Sequence, residues 1–308
     1  MRNPADFHRP VYNHNSEVST SLQTIGYTCI FKNMLAAGHT KVLMNIFKLV
    51  GTPHEFLYHG KGSLMVLGNL LPDTLPLVGA SPLITHDTTR GRAVAKEIPP
   101  LGLGIMTHLY ADNITHCGEL ENRGSYEKSY ALSLGAKWFE ASRGRFDKLL
   151  KRIQGKSLPY VLHIITEIAF DVILAKEDSE LPLLIGNTWG NLSKYSPGML
   201  LSLAGHFEMH PEQITEKLRE IQPKKRPSFD EIYSRRARAL LFIRKFTPDL
   251  EEGDEFSSDD VETAIEMITL GENIVQPEIK NFVEECAVKI LEYDSNIGEF
   301  IRRLKERG

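Results

Sequence analysis

The chain has few cysteines and no long apolar segment. Its three cysteines, Cys29, Cys117 and Cys286, lie far apart and are odd in number, which argues against a disulfide framework and favours a reducing compartment. No stretch approaches the roughly 18 to 20 continuous apolar residues of a membrane span. Residues 1–20 are polar throughout and lack the apolar core of a secretory signal. The sequence therefore predicts a cytoplasmic protein without a transmembrane segment.

The chain also lacks a strong excess of either charge. Its net charge is -4 and its pI is near 6.3, so it has no overall attraction to nucleic acid, and a nucleic-acid partner is not supported. Its content of 42% apolar and 25% charged residues is ordinary for a soluble globular protein.

The most basic region of the chain runs from residue 224 to residue 245, and acidic residues at 251–255 follow it. A solvated helix face is the simpler interpretation. A patch for an anionic substrate or for peripheral membrane contact is the alternative. The basic residues are Lys224, Lys225, Arg226, Arg235, Arg236, Arg238, Arg244 and Lys245.

Alternation of period two is almost absent, whereas apolar residues recur at helical spacing, so the sequence predicts an all-α fold. Residues 39–50 place Val42, Ile46 and Leu49 on one helix face. An apolar run at 63–71 ends before Pro72, and Asp73 is therefore predicted where a helix gives way to a loop. Further helices are predicted at 101–116, 127–154, 160–176, 212–221, 228–246, 258–270 and 277–307, with Ser228 and Ser258 as N-caps.

The predicted organisation has three parts and no internal repeat. Residues 1–20 form a polar leader, residues 21–205 a helical metal-binding catalytic domain, and residues 206–308 a C-terminal helical extension. This extension either stands apart or packs on the same core.

Histidines and carboxylates recur at helical spacing within two apolar segments. His108, Asp112 and His116 follow one another at i, i+4 and i+8, and His163 and Glu167 repeat the i, i+4 step. On a helix each set lies along one stripe. Taken singly, such pairs are more often surface salt bridges or satisfied hydrogen bonds. Two of them in apolar helices favour a metal site, because imidazole nitrogens and carboxylate oxygens at this spacing can bind one zinc ion.

Other parts of the chain offer further candidate ligands. His39 stands at a predicted helix start, Asp73 follows Pro72, and His86 and Asp87 are adjacent in a predicted loop. Together the nine residues would be enough for two or three ions, with zinc preferred and other divalent transition metals as alternatives. Asp171, four residues after Glu167, is a residue that orients a ligand, a proton donor or an ordinary helix-face carboxylate, of which the last is the simplest interpretation. Gly102 and Gly104 indicate close helix packing.

The candidate ligands lie in five elements along the chain: His39, Gly68-Asn69-Leu70-Leu71-Pro72-Asp73, Thr85-His86-Asp87, His108 to His116, and His163 with Glu167. The order of these elements resembles the zinc-dependent phospholipase C family and the related single-strand-specific zinc nucleases. The resemblance covers about 36–175 and implies a multi-helical core of that type, with an additional C-terminal helical region. It assigns His86, His108 and Asp112 to one zinc, and His116, His163 and Glu167 to a second.

The resemblance further assigns Asp73 and His39 to a third zinc that borders the first. It implies a metal-activated water that attacks a phosphodiester or phosphomonoester, with Asp73 orienting or deprotonating that water, and a small phosphate ester or a phospholipid head group as the substrate. Secreted family members bind the third zinc through a processed N-terminal residue, usually Trp. This sequence has neither a signal peptide nor a Trp near Met1.

Two alternatives remain at the level of sequence. GNLLPD and the adjacent His86 and Asp87 also resemble HD-type metal-dependent phosphohydrolases, in which Asp87 would bind metal and the group of His116 and His163 would be secondary. The other alternative is a non-enzymatic helical protein with structural metal ions and a protein partner for its C-terminal helices.

Overall fold

Every regular element in the described part of the chain is helical, which confirms the all-α prediction. The computed structural model describes residues 36–120, 129–152, 158–191, 197–210, 212, 214, 216–218, 232–246 and 257–306. Its helices are α1 (Ala36–Leu49), α2 (Gly60–Thr74), α3 (Pro82–Thr85), α4 (Thr88–Glu97), α5 (Pro99–Cys117), α6 (Tyr130–Ser142), α7 (Asp147–Arg152), α8 (Leu158–Glu177), α9 (Glu180–Gly190), α10 (Pro197–His206), α11 (Arg235–Phe246), α12 (Ser258–Val275), α13 (Ile279–Tyr293) and α14 (Ser295–Glu306), with 3-10 turns at His54–Tyr58 and Leu75–Val78.

Helices α2 and α5 approach each other closely because each carries a glycine at their contact. A Cβ atom on Gly68 would overlap the carbonyl oxygen of Leu101, and one on Gly104 would overlap that of Met65. Gly102 meets the main chain of α4 in the same way. The close packing predicted for Gly102 and Gly104 is thus confirmed, and it fixes two ligand-bearing helices against each other.

The buried apolar residues form two clusters. The first includes Phe47 of α1 and Ile105 of α5, together with Ile290 of α13. The second joins α6, α8, α11 and α12, where the Trp138 indole donates a hydrogen bond to the carbonyl oxygen of Met267 at 2.9 Å. The described part of 206–308 therefore packs on the same cores as the helices before it.

The end of α2 differs from the prediction. Asp73 lies inside the last turn of α2, which continues through Pro72 to Thr74. A proline near the end of a helix removes one hydrogen bond, and here the apolar residues on either side, Leu71 and Leu75, are fully buried, so packing stabilises the helix through the proline. Leu49, predicted on the buried face of α1, is 52% exposed because it is the last residue of its helix.

Several predicted boundaries are also corrected. The N-cap of α12 is Ser257 rather than Ser258, because the Ser257 side chain accepts a hydrogen bond from the Asp260 N–H. The predicted helix at 277–307 is two helices, α13 and α14, interrupted by the non-helical backbone of Asp294. The helix predicted at 127–154 divides into α6 and α7 at Arg143, which has a φ of 38°.

Some predictions lie outside the described residues. These include the polar leader at 1–20, the basic residues Lys224, Lys225 and Arg226, the N-cap at Ser228 and the acidic stretch at 251–255. Within the described ranges, none of the helices combines the length and apolar character that a membrane span requires.

Candidate metal centre

Helix α5 carries the central stripe of candidate ligands, as the spacing predicted. His108, Asp112 and His116 all lie within Pro99–Cys117. The His108 side chain is 1% exposed, whereas those of Asp112 and His116 are 20% and 28% exposed. The stripe therefore runs from the interior of the protein toward solvent.

The first group of side chains joins α1, α2 and α5. Candidate ligand atoms of His39, Asp73 and His108 all lie within 4.8 Å of one another. The imidazole of His39 stacks on that of His108 with 3.8 Å between ring centroids. Asp73 Oδ1 lies 3.9 Å from His108 Nε2 and 3.5 Å from His86 Nε2. This first group therefore has His86 at its edge.

The second group joins α5 and α8. Candidate ligand atoms of His116, His163 and Glu167 again lie within 4.8 Å of one another. Glu167 Oε1 is 2.6 Å from His163 Nε2 and 3.3 Å from His116 Nε2, and Asp112 Oδ1 is 3.1 Å from the same His116 atom. His116, His163 and Glu167 are the residues that the family resemblance assigns to a second zinc.

Main-chain carbonyls orient two of the imidazoles. His108 Nδ1 lies 2.8 Å from the carbonyl oxygen of Asn69, and His86 Nδ1 lies 3.1 Å from that of Pro82. Since a carbonyl oxygen only accepts hydrogen bonds, Nδ1 of His108 carries the proton in this geometry and Nε2 of the neutral ring presents a lone pair. Ligands of protein-bound metals are commonly oriented in this way. His86 Nδ1 is also close to the Thr85 hydroxyl at 3.0 Å. Burial acts to lower the pKa of His86, but the hydrogen bond with the Asp73 carboxylate raises it.

Whether the two groups fit a metal can be judged from their buried nitrogen and oxygen atoms that lack hydrogen bonds to described residues. In the first group they are both ring nitrogens of His39 and Nε2 of His108. In the second group, His116 Nε2 and Glu167 Oε1 also lack hydrogen-bond geometry, but they lie within ion-pair distance of Asp112 and His163. Leaving one such atom unsatisfied costs about 1 to 3 kcal/mol. Two ligands at 2.0 to 2.2 Å from a tetrahedral zinc are about 3.3 to 3.6 Å apart, close to the separations of His116 from Glu167 and of His86 from Asp73. The residues therefore fit zinc.

The electrostatics favour metal-binding protonation states for most of these groups. Burial lowers the pKa of His39, and burial together with His39 lowers that of His108 to about 3. Burial acts to raise the pKa of Asp73, but His108 and His86 bring it well below its usual value. The pKa of Glu167 is lowered to about 2 because His163 and His116 outweigh the effect of burial.

Asp112 and His116 form a coupled pair along α5. Burial opposes charge on both, yet each stabilises the charged form of the other, so the pKa of Asp112 falls and that of His116 rises well above its usual value. Because Asp112 also interacts with His86 and His108, it connects the second group electrostatically to the first.

Eight of the nine predicted ligands converge on this centre, and Asp87 has a different position. Asp87 is the N-cap of α4, where its Oδ1 accepts a hydrogen bond from the Thr89 N–H at 2.8 Å. It belongs to neither of the two groups. The adjacent His86 is the C-cap of α3.

A buried ion pair next to the centre was not predicted. Asp171 Oδ1 accepts hydrogen bonds from the N–H groups of Ala37 and Gly38, both at 3.2 Å, and its Oδ2 accepts one from Arg238 at 2.9 Å. Both side chains are fully buried, so the solvated-face interpretation is wrong for Arg238 and the helix-face interpretation is wrong for Asp171. The only sequence signal was the i+4 spacing of Asp171 from Glu167.

No protein-family model, curated protein or solved structure matches this chain. The resemblance to the zinc-dependent phospholipase C family therefore rests on the order and spacing of the residues. The structure defines an all-helical protein in which histidines and carboxylates from α1, α2, α5 and α8 converge.

Proposed function

We propose that the protein is a zinc-dependent phosphoesterase that hydrolyses a phosphodiester or phosphomonoester in the manner of phospholipase C, with two or three ions. One observation carries the proposal. Each of two groups of histidines and carboxylates brings candidate ligand atoms within 4.8 Å of one another, and the first holds three buried nitrogens, two of His39 and one of His108, without hydrogen bonds to described residues. A polar core without metal would leave these three nitrogens unsatisfied.

In the proposed hydrolysis, the ions and the protein side chains have different roles. Bound zinc lowers the pKa of a water and polarises a phosphoryl oxygen. The chain provides the His108 imidazole, whose Nδ1 faces the carbonyl oxygen of Asn69 so that Nε2 is available to a metal. It also provides the Asp73 carboxylate, which can accept a hydrogen bond or a proton from an attacking water.

Partial exposure favours a catalytic centre over a closed structural one. His39 and His108 are buried, but the side chains of Asp73, His86 and His116 are 26%, 28% and 28% exposed. A structural zinc is enclosed by protein ligands, whereas a catalytic zinc keeps a position for water or substrate. The open side can admit a small phosphate ester or a phospholipid head group. Cytoplasmic location and peripheral membrane contact stay predictions.

The HD-type alternative requires Asp87 as a metal ligand. Its carboxylate instead caps α4. The second group, which would be secondary in that alternative, brings candidate ligand atoms of His116, His163 and Glu167 within 4.8 Å of one another. The phospholipase-like assignment is therefore the better supported of the two.

Metal analysis followed by an activity screen tests the proposal. The protein is purified without chelator, its zinc is counted by elemental mass spectrometry, and 4-nitrophenyl phosphate, bis(4-nitrophenyl) phosphate and phosphatidylcholine are offered as substrates. We expect at least two zinc ions per chain and hydrolysis of at least one ester. His108→Ala and Glu167→Ala should each lower the zinc content and abolish hydrolysis.

His206→Ala is the matched control, because His206 pairs with Glu97 at 2.9 Å on the surface and belongs to neither group. It should keep both zinc and activity. A wild-type protein that binds no metal, or ligand variants with unchanged zinc and activity, would overturn the proposal.

A further inference from the structure

The buried pair of Arg238 and Asp171 joins the C-terminal region to the metal centre. We propose that Arg238 is a positioning residue, which acts through Asp171 to hold α1, with His39, and α8, with Glu167, in the arrangement that their separate zinc sites require. The inference rests on the proposed function. It assigns a role at the proposed zinc site to α11, which lies outside the residues that the family resemblance covers.

The first step of the argument is the contact between Asp171 and α1. One carboxylate oxygen accepts hydrogen bonds from the N–H groups of Ala37 and Gly38, the two residues directly before His39. Both ring nitrogens of His39 are buried without hydrogen bonds to described residues. The direction of the His39 ring therefore depends on packing and on the position of its helix, which Asp171 fixes.

The second step is the position of Asp171 on α8. It follows Glu167 by four residues, so the two carboxylates lie on the same face of that helix. Glu167 reaches the second group and Asp171 reaches α1, which carries part of the first group. A displacement of the Asp171 carboxylate would thus change the position of α1, which carries His39, relative to α8, which carries Glu167.

The third step is the environment of Arg238. Its guanidinium is fully buried, lies over the Tyr233 ring at 4.6 Å and donates one hydrogen bond to Asp171 Oδ2. Its Nε and Nη1 make no hydrogen bond with described residues. Because an isolated buried charge is costly, the carboxylate that holds α1 requires this cation beside it.

The same helix supplies a matched control. Arg235 on α11 donates two hydrogen bonds to Glu272 on α12, at 2.5 and 2.7 Å. This pair joins the C-terminal helices to each other, and neither residue belongs to the two ligand groups. Arg235→Met therefore breaks a buried-carboxylate ion pair of α11 without touching α1.

The experiment measures zinc affinity in the full-length chain. Metal-depleted protein is titrated with zinc against a chromogenic chelator, and cobalt is used in parallel because its visible spectrum reports ligand geometry. We expect Arg238→Met to weaken at least one zinc about 10-fold to 100-fold, as for other residues that orient metal ligands, and to alter the cobalt spectrum. Arg238→Lys, which keeps the charge, should restore part of the affinity.

Arg235→Met should lower thermal stability without changing zinc affinity or the cobalt spectrum. If Arg238→Met does not fold, Asp171→Asn takes its place. Its amide oxygen can still accept from α1, but the attraction to Arg238 is lost, so a smaller weakening in the same direction is expected. Wild-type affinity in the folded variant, or equal weakening in Arg235→Met, would overturn the positioning role alone. A wild-type chain that binds no zinc would overturn the proposed function as well.

Discussion

His116 Nε2 on α5 lies 3.3 Å from Glu167 Oε1 on α8. Asp112 Oδ1 lies 3.1 Å from the same nitrogen, and His163 Nε2 lies 2.6 Å from the same oxygen. Four side chains of two helices thus bring imidazole nitrogens and carboxylate oxygens together, which are the ligand types that zinc prefers.

Zinc is therefore expected to stabilise the folded protein. An ion that binds only the native state adds about 2.7 kcal/mol at 100 times its dissociation constant. Circular dichroism melts should show a lower Tm after chelation and recovery when zinc is added. Glu167→Gln, which keeps the size but loses the charge, should show a smaller zinc-dependent shift, whereas an unchanged shift would contradict the role of the second group.

Asp87→Ala is expected to destabilise the protein without loss of zinc. Removing an N-cap costs about 1 kcal/mol, and the Asp87 carboxylate caps α4 through Thr89. Urea denaturation and elemental analysis of the same sample give both quantities. Asp73→Asn is the comparison and should lower the zinc content. Loss of zinc in Asp87→Ala would favour the HD-type alternative.

Gly68→Ala should separate α2 from α5. The added Cβ would overlap the carbonyl oxygen of Leu101, and such overpacking costs roughly 1 to 3 kcal/mol or more. Gly205 on α10 is exposed, and its added Cβ would have no neighbour within 4 Å, so Gly205→Ala should be neutral or stabilising by up to about 1 kcal/mol. Equal free energies of unfolding for the two variants would show that the helices can move apart freely.

Ile290→Ala tests whether the C-terminal helices belong to the first core. Ile290 is fully buried on α13, and its truncation should cost about 2 to 5 kcal/mol in urea denaturation. Val288 on the same helix is 41% exposed, so Val288→Ala should change the free energy of unfolding by less than about 0.5 kcal/mol. A small effect at Ile290 would mean that α13 contributes little to folding.

Cys286 should resist alkylation in the native protein. Burial raises the pKa of its thiol to about 12, so only roughly one thiol in ten thousand is ionised at pH 8, and because the thiolate is the nucleophile, alkylation should be slow. Reactivity should rise with pH toward that value. Peptide mass spectrometry after iodoacetamide treatment should find Cys286 unmodified in the native protein and modified in guanidinium. Rapid native labelling at pH 8 would contradict the burial of α13.

The sequence predicted the parts of the centre that depend on local spacing. The stripe of His108 and His116 follows from the helical repeat alone. Asp73 lies near the end of its helix, as predicted, but the helix continues to Thr74 instead of ending before Pro72, because buried neighbours stabilise α2 through the proline. The break at Asp294 has no glycine or proline to mark it.

Contacts between distant segments were beyond what spacing could predict. Arg238 and Asp171 are 67 residues apart, and a pattern of basic residues gives no sign that one arginine of the run is buried. The Asn69 contact to His108 uses a main-chain carbonyl, which every residue possesses. Only the packing of α2 against α5 selects that carbonyl.

Helix α8 contributes Ala169 and Ile173 to the first apolar cluster, and Ile165 and Ile168 to the second. Helix α8 thus packs against both cores. If it separated from one core, apolar surface of the other would also become exposed. Loss of packing on one side therefore promotes loss on the other, and this shared helix favours cooperative unfolding of the two cores over independent melting.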